Sequence, residues 1–128
     1  MDGGTFTNIL TRVQQGGVFT MNNGTLGAKH TQGDGTLIDT LTDVQKGGTL
    51  TVNAGSVEGN VDVSGVFTMN GGTFNSPRTD VKSGGTFTIY NSPGTTITAG
   101  SQVYMNGVPV TTSWPPTGSW IVFTITAP

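Results

Sequence analysis

Apolar side chains recur along this chain in short alternating runs, each closed by glycine. In Gly47-Gly48-Thr49-Leu50-Thr51-Val52-Asn53 the Leu50 side chain points one way and Thr49 and Thr51 the other. That period of two marks a half-buried strand. The Asn-x-Gly at 53–55 reads as turn chemistry, because both residue types tolerate a positive φ. Seven residues after each first inward side chain comes a second: Phe19 to Leu26, Leu50 to Val57, Phe67 to Phe74. A third strand ends on a valine preceded by a charge, as in Arg12-Val13, Asp43-Val44, Asp62-Val63 and Asp80-Val81.

The pattern is copied. Val44–Val57 aligns without a gap to Val13–Leu26, 31 residues earlier. Shorter versions run Val63–Phe74 and Val81–Ile89, the latter swelling into Tyr90-Asn91-Ser92-Pro93-Gly94-Thr95, and Gly3-Gly4-Thr5-Phe6-Thr7 reads as a truncated fifth copy. Repetition at this scale predicts a solenoid. The expected fold is all-β, a short parallel β-helix of about five irregular coils with three inward apolar positions in each. The predicted core is Phe19, Leu26, Val44, Leu50, Val57, Val63, Phe67, Phe74, Val81 and Phe87. Measured between first inward residues, the coils are 13, 31, 17 and 20 residues long. The 31-residue interval holds either one coil plus an insertion or two tight coils. Helical periodicity is missing, and glycine and β-branched residues disfavour helix. Five coils would stand about 24 Å tall at ordinary strand spacing.

Residues 1–100 form the expected repeat region and 101–128 a cap or assembly segment. Both tryptophans fall in the latter, before a strongly strand-forming run from Ile121 to Thr126. Trp114, Trp120, Ile121 and Phe123 are its expected contact residues, since the end coils of a solenoid expose unpaired backbone. The N-terminus shows no such cap.

Composition sharpens this. With 128 residues there is room for one domain of ordinary size. Twenty-one glycines and only 33% hydrophobic residues argue against a broad globular core. Charged residues are 9%, which leaves Thr, Asn, Ser and Gly as the surface and excludes the highly charged composition of a disordered chain. A net charge of −2 suggests neither nucleic acid nor an anionic membrane as partner. Without cysteine there is no disulfide framework, thiolate metal site or thiol nucleophile. No apolar run approaches the roughly 18 residues of a membrane span, and no signal-like segment precedes the first repeat. Met1 favours a complete gene product over an excised fragment.

The segments 16–26, 64–74 and Gly55-Ser56-Val57-Glu58-Gly59-Asn60 resemble β-helical repeats of bacterial surface adhesins and autotransporter passengers, and similar elements of phage tail spikes and other virion appendages. The resemblance covers roughly residues 3–100. It implies an architecture and supplies no catalytic residues. The short array and the missing secretion signal suit a virion component better than an exported adhesin.

Candidate chemistry is sparse. Asp43, Asp62 and Asp80 share one repeat position and could stack in a column, but a glycosidase pair needs two carboxylates in a cleft; solvated corner residues are the plainer reading. Gly33-Asp34-Gly35-Thr36-Leu37-Ile38-Asp39 is similar to a calcium-binding nonapeptide turn, yet occurs once where such sites need several repeats. The triplets Thr5-Phe6-Thr7, Thr49-Leu50-Thr51 and Thr86-Phe87-Thr88 could stack into the flat threonine array of ice-binding solenoids, although threonine is favoured in strands anyway. His30 reads as a loop residue and Asn23-Gly24-Thr25 as a chance glycosylation acceptor. Trp114 and Trp120 could bind sugar, but a hydrophobic cap is the simpler role.

The resulting expectation is a structural, non-enzymatic virion protein without cofactors: a capsid decoration, head fibre or spike segment. Its expected partners are itself, as a homotrimer sharing one core, other virion structural proteins, and host-surface glycans. The competing readings are a binding module of a bacterial surface adhesin, located at the cell surface, and an ice-binding solenoid.

Overall fold

The computed structural model describes residues 1–91, 95–111, 114–116 and 122–128. The chain enters with β1 (Asp2–Phe6) and β2 (Leu10–Val13), a partial coil. A full coil follows as β3 (Val18–Met21), β4 (Asn23–Leu26), a small antiparallel hairpin of β5 (His30–Thr31) and β6 (Leu37–Ile38), then β7 (Leu41–Val44). The second coil is β8 (Thr49–Val52), β9 (Ser56–Glu58) and β10 (Asn60–Val63). The third is β11 (Val66–Met69), β12 (Thr73–Asn75) and β13 (Thr79–Val81). The fourth is β14 (Thr86–Tyr90), β15 (Thr96–Ile97) and β16 (Val103–Met105). Two strands then reverse direction: β17 (Val108–Pro109) folds back on β16, and β18 (Val122–Thr126) runs antiparallel along β14.

The protein is therefore an all-β solenoid of about five stacked coils with three faces. The first face stacks β3, β8, β11, β14 and β18, the second β1, β4, β9, β12 and β15, the third β2, β7, β10, β13, β16 and β17. The 31-residue interval is one coil plus an insertion, since β3 pairs directly with β8 and the hairpin projects between β4 and β7. The ladder also continues past residue 100, because β16 is still a parallel rung against β13.

Each coil has five inward positions instead of the three expected. On the first face two columns point inward: Phe19, Leu50, Phe67, Phe87 and Ile125, and beside them Met21, Val52, Met69, Ile89 and Phe123. The third face contributes Val13, Val44, Val63 and Val81, and a second column of Thr11, Thr42, Val61, Thr79 and Val103. The second face adds Phe6, Leu26, Val57, Phe74 and Ile97. Of the ten predicted core residues, nine are fully buried. Phe19 is only half-buried, because it lies on the first full coil and is covered by little more than the edge of Phe6, 5.6 Å away.

The N-terminal repeat needs a change of register. Gly3-Gly4-Thr5-Phe6 copies the second face, with Phe6 beside Leu26, and not the first face to which its lettering had assigned it. The same four letters occur at two different corners. Gly4 and Gly72, directly before Thr-Phe, have φ of +86° and +93°; at Gly84-Gly85-Thr86-Phe87 it is the earlier glycine that turns left-handed, with φ +80°. The asparagines also differ from expectation. Among the described residues Asn106 is the non-glycine with positive φ, so Asn22, Asn53 and Asn70 stay in ordinary backbone and work through their side chains.

Candidate functional site

Three surface features come out of this stacking. The first is a ladder of amides at the corner between the first and second faces. Asn70 Nδ2 donates to Asn53 Oδ1, Asn53 Nδ2 to Asn22 Oδ1 and Asn22 Nδ2 to Asp2 Oδ1, each at 2.9 Å. It exists because equal spacing places one asparagine above the next. Sequence reading saw these residues only as turn formers; their common offset from the inward Met21, Val52 and Met69 was the available signal.

The second feature is the outer side of the first face. Thr20, Thr51, Thr68, Thr88 and Thr124 stand in one unbroken column, with Val18, Thr49, Val66, Thr86 and Thr126 in the next. Of the expected triplets, 49–51 and 86–88 lie here, while Thr5-Phe6-Thr7 belongs to the second face. The column was not legible from triplets alone, because Thr20 and Thr68 follow Val-Phe and Thr124 arrives on a reversed strand.

The third is the acidic column. Arg12, Asp43, Asp62, Asp80 and Tyr104 are register partners on the third face. Each carboxylate has a cation: Arg12 Nε lies 3.6 Å from Asp43, Lys82 Nζ 3.1 Å from Asp62, and Arg78 Nη2 3.8 Å from Asp80. The hydrogen bond from Lys82 to Asp62, assisted by the charges of Asp62, Asp80 and Asp43, raises the Lys82 pKa against the opposing effect of burial. Arg78 also lies 4.0 Å over the Tyr104 ring, a cation–π contact. The column is thus a set of neighbouring ion pairs on the outer side of the third face.

The remaining candidates are dispersed. Asp34 sits at the tip of the hairpin, where it accepts the Thr36 N–H at 2.9 Å, and this bond holds its carboxyl below the usual range. His30 is half-buried in β5 and donates from Nδ1 to the Thr7 carbonyl at 2.9 Å, tying the hairpin to the partial coil of β1 and β2. Asn23 turns its side chain back onto the Gly24 N–H. A shallow groove of about 280 Å³ beside the hairpin is lined by Lys29, Asp39, Glu58 and Pro77 among others, with Lys29 and Asp39 paired at 3.0 Å. No group of three or more His, Cys, Asp or Glu able to hold a metal occurs among the described residues.

The two ends of the stack differ. At the C-terminal end Trp114 covers the last coil, its ring 6.2 Å from Phe74, 6.1 Å from Phe87 and 5.1 Å from Phe123. Its Nε1 donates to the Ser101 carbonyl at 3.1 Å. Trp120 and Ile121, the other expected cap residues, lie outside the described residues. At the N-terminal end β1, β2 and β3 are the last strands of their sheets. Val18, Ile9 and Leu10 are 73%, 54% and 41% exposed there. Comparison with protein-family models, curated proteins and solved structures returns no match, so the assignment as a β-solenoid rests on this chain's own register.

Proposed function

We propose that this chain is a structural, non-enzymatic segment of a bacteriophage virion, a capsid decoration, head fibre or spike piece displayed on the particle surface. The observation that carries the reading is the continuous three-faced ladder with a core closed inside one chain. Backbone bonds run along its whole height, and close-packed interiors transmit force instead of yielding. The resemblance of its repeats to tail-spike elements supplies the location. The apolar positions expected on a shared trimer axis are buried within a single chain. Association as a trimer would therefore use outer surfaces, with other virion proteins or host glycans as further partners.

The test is immunogold labelling, with an antibody to this chain, of induced phage particles and of cells from the source strain. Label on the particles supports the proposal. Label confined to the cell envelope overturns it in favour of an adhesin module.

One observation favours a second reading, ice binding: the unbroken five-threonine column on the first face, flanked by a Val/Thr column. Regularly spaced hydroxyls and methyls could order a water layer. Thermal hysteresis measured on the purified chain, compared with a Thr51→Lys, Thr68→Lys double variant, tests it. Equal freezing behaviour of the two would remove this reading.

A further inference from the structure

We infer that Asn23, independently of the virion reading, is a site of spontaneous covalent modification. It closes a succinimide ring with the Gly24 nitrogen, which water opens to aspartate or isoaspartate.

The chemistry needs only the chain and water. The Gly24 backbone nitrogen gives up its proton and attacks Cγ of the Asn23 carboxamide, forming a C–N bond. The Cγ–Nδ2 bond breaks, and Nδ2 leaves as ammonia with that proton. Water then adds to one of the two ring carbonyls. Breaking the new C–N bond gives aspartate; breaking the original peptide bond gives isoaspartate, whose main chain runs through Cγ. Nitrogen is exchanged for oxygen, and no oxidant or reductant enters the balance.

A following glycine suits this step, because no side chain shields the attacking nitrogen. Three such pairs occur: Asn23-Gly24, Asn70-Gly71 and Asn106-Gly107. Local sequence ranks them alike, and the fold separates them.

At Asn23 the reacting groups are already in contact. Gly24 N lies 2.9 Å from Asn23 Oδ1, and the side chain is exposed to water. The amide ladder at this corner runs through Asn22 and leaves the Asn23 carboxamide out of it. Holding two reacting groups together removes most of the entropic cost of their encounter. At Asn70 the carboxamide is engaged instead. Its Nδ2 donates to Asn53 Oδ1 at 2.9 Å, so ring closure would break a rung of the ladder. At Asn106 the attacking nitrogen is engaged. Gly107 donates its N–H to the Asp80 carboxylate at 3.3 Å, where the negative charge opposes loss of that proton. Either product at 23 sets a second carboxylate opposite Asp2, its register partner, and like charges on paired strands repel.

Peptide mapping by mass spectrometry, on the full chain aged in mildly alkaline buffer, tests this. Conversion at Asn23 should run at least tenfold faster than at Asn70 or Asn106, with isoaspartate among the products. In urea the three rates should converge, since the contacts that separate them are gone. Asn23→Ala should match the parent by circular dichroism, because Ala54 fills the same place before Gly55 in the next coil. This variant should also lose most of the acidic shift that the aged parent shows on isoelectric focusing. An Asn23 left intact overturns the inference, as does conversion at Asn70 or Asn106 as fast as at Asn23. So does an ordering that persists in urea, or an acidic shift undiminished in Asn23→Ala.

Discussion

The Trp114 ring lies 5.1 Å from the Phe123 ring, tilted 53° to it, and the pair closes the last coil from two separate segments. One residue comes from the loop after β17 and the other from the reversed strand β18. Trp114→Ala should cost about 3–5 kcal/mol, through lost ring contacts and an unpaired Ser101 carbonyl. Urea melts check this. A loss under about 1 kcal/mol would mean that the indole merely rests on the surface. Deleting 101–128 should be more severe, since it also strips β14 of one of its two partners, β18, and β13 of β16.

Phe67 stacks on Phe87 at 5.1 Å and meets Phe74 edge-on at 6.1 Å, at the centre of the core. Phe67→Ala should cost about 3–5 kcal/mol. Phe67→Asp should abolish cooperative unfolding, because a buried, unpaired carboxylate has no compensating partner in so thin a core. A parent-like melt of the aspartate variant would contradict the packing.

Gly85 illustrates how closely the coils approach. A Cβ there would fall on the Val63 carbonyl oxygen of the preceding coil, whereas a Cβ at Gly33 meets open space. Gly85→Ala should destabilise by about 1–3 kcal/mol through overpacking, and Gly33→Ala should stay within about 0.5 kcal/mol. Equal effects of the two, by thermal melts, would refute the tight stacking.

Thr42 is buried between Thr11 and Val61, and its hydroxyl has no partner among the described residues. Neighbouring inward threonines differ: Thr79 donates to Ser76 and Thr40 to the Gly27 carbonyl. Thr42→Val keeps the shape and removes an unpaid desolvation, so a gain of about 1 kcal/mol is expected. Destabilisation by the valine, measured in urea, would show that the hydroxyl is satisfied in solution.

The Lys82–Asp62 pair makes a pH prediction. Lys82 has its pKa raised in the folded state, chiefly by its hydrogen bond to Asp62. Its contribution is therefore complete below the unfolded lysine pKa and is lost as pH rises through the higher folded value. Stability should fall at alkaline pH, above about 10, and Lys82→Met should remove part of that fall. The side chain is half-exposed, so the difference should stay below about 1 kcal/mol. Parallel alkaline profiles of parent and variant would show that the pair contributes nothing.

The strand pattern, the three-faced coil and nine fully buried core residues were readable from alternation and repetition alone. Period-two spacing dictates which side of a strand faces inward, and self-similarity at coil length marks a chain that buries those sides by stacking. Had the alternation around Leu50 been carried two residues further, Val52, Met69 and Ile89 would have been found too. Other features depended on vertical register, a relation between residues 17 to 31 positions apart that no local pattern encodes. Register decided that Gly3–Phe6 joins the second face, that Asn22, Asn53 and Asn70 share their amides, and that Arg12 and Lys82 reach Asp43 and Asp62 of the neighbouring coil. The ends were likewise a tertiary outcome. Local chemistry predicts a strand at 122–126, but only its pairing with Thr86–Tyr90 makes that strand antiparallel and sets Phe123 and Ile125 in the two inward columns of the first face.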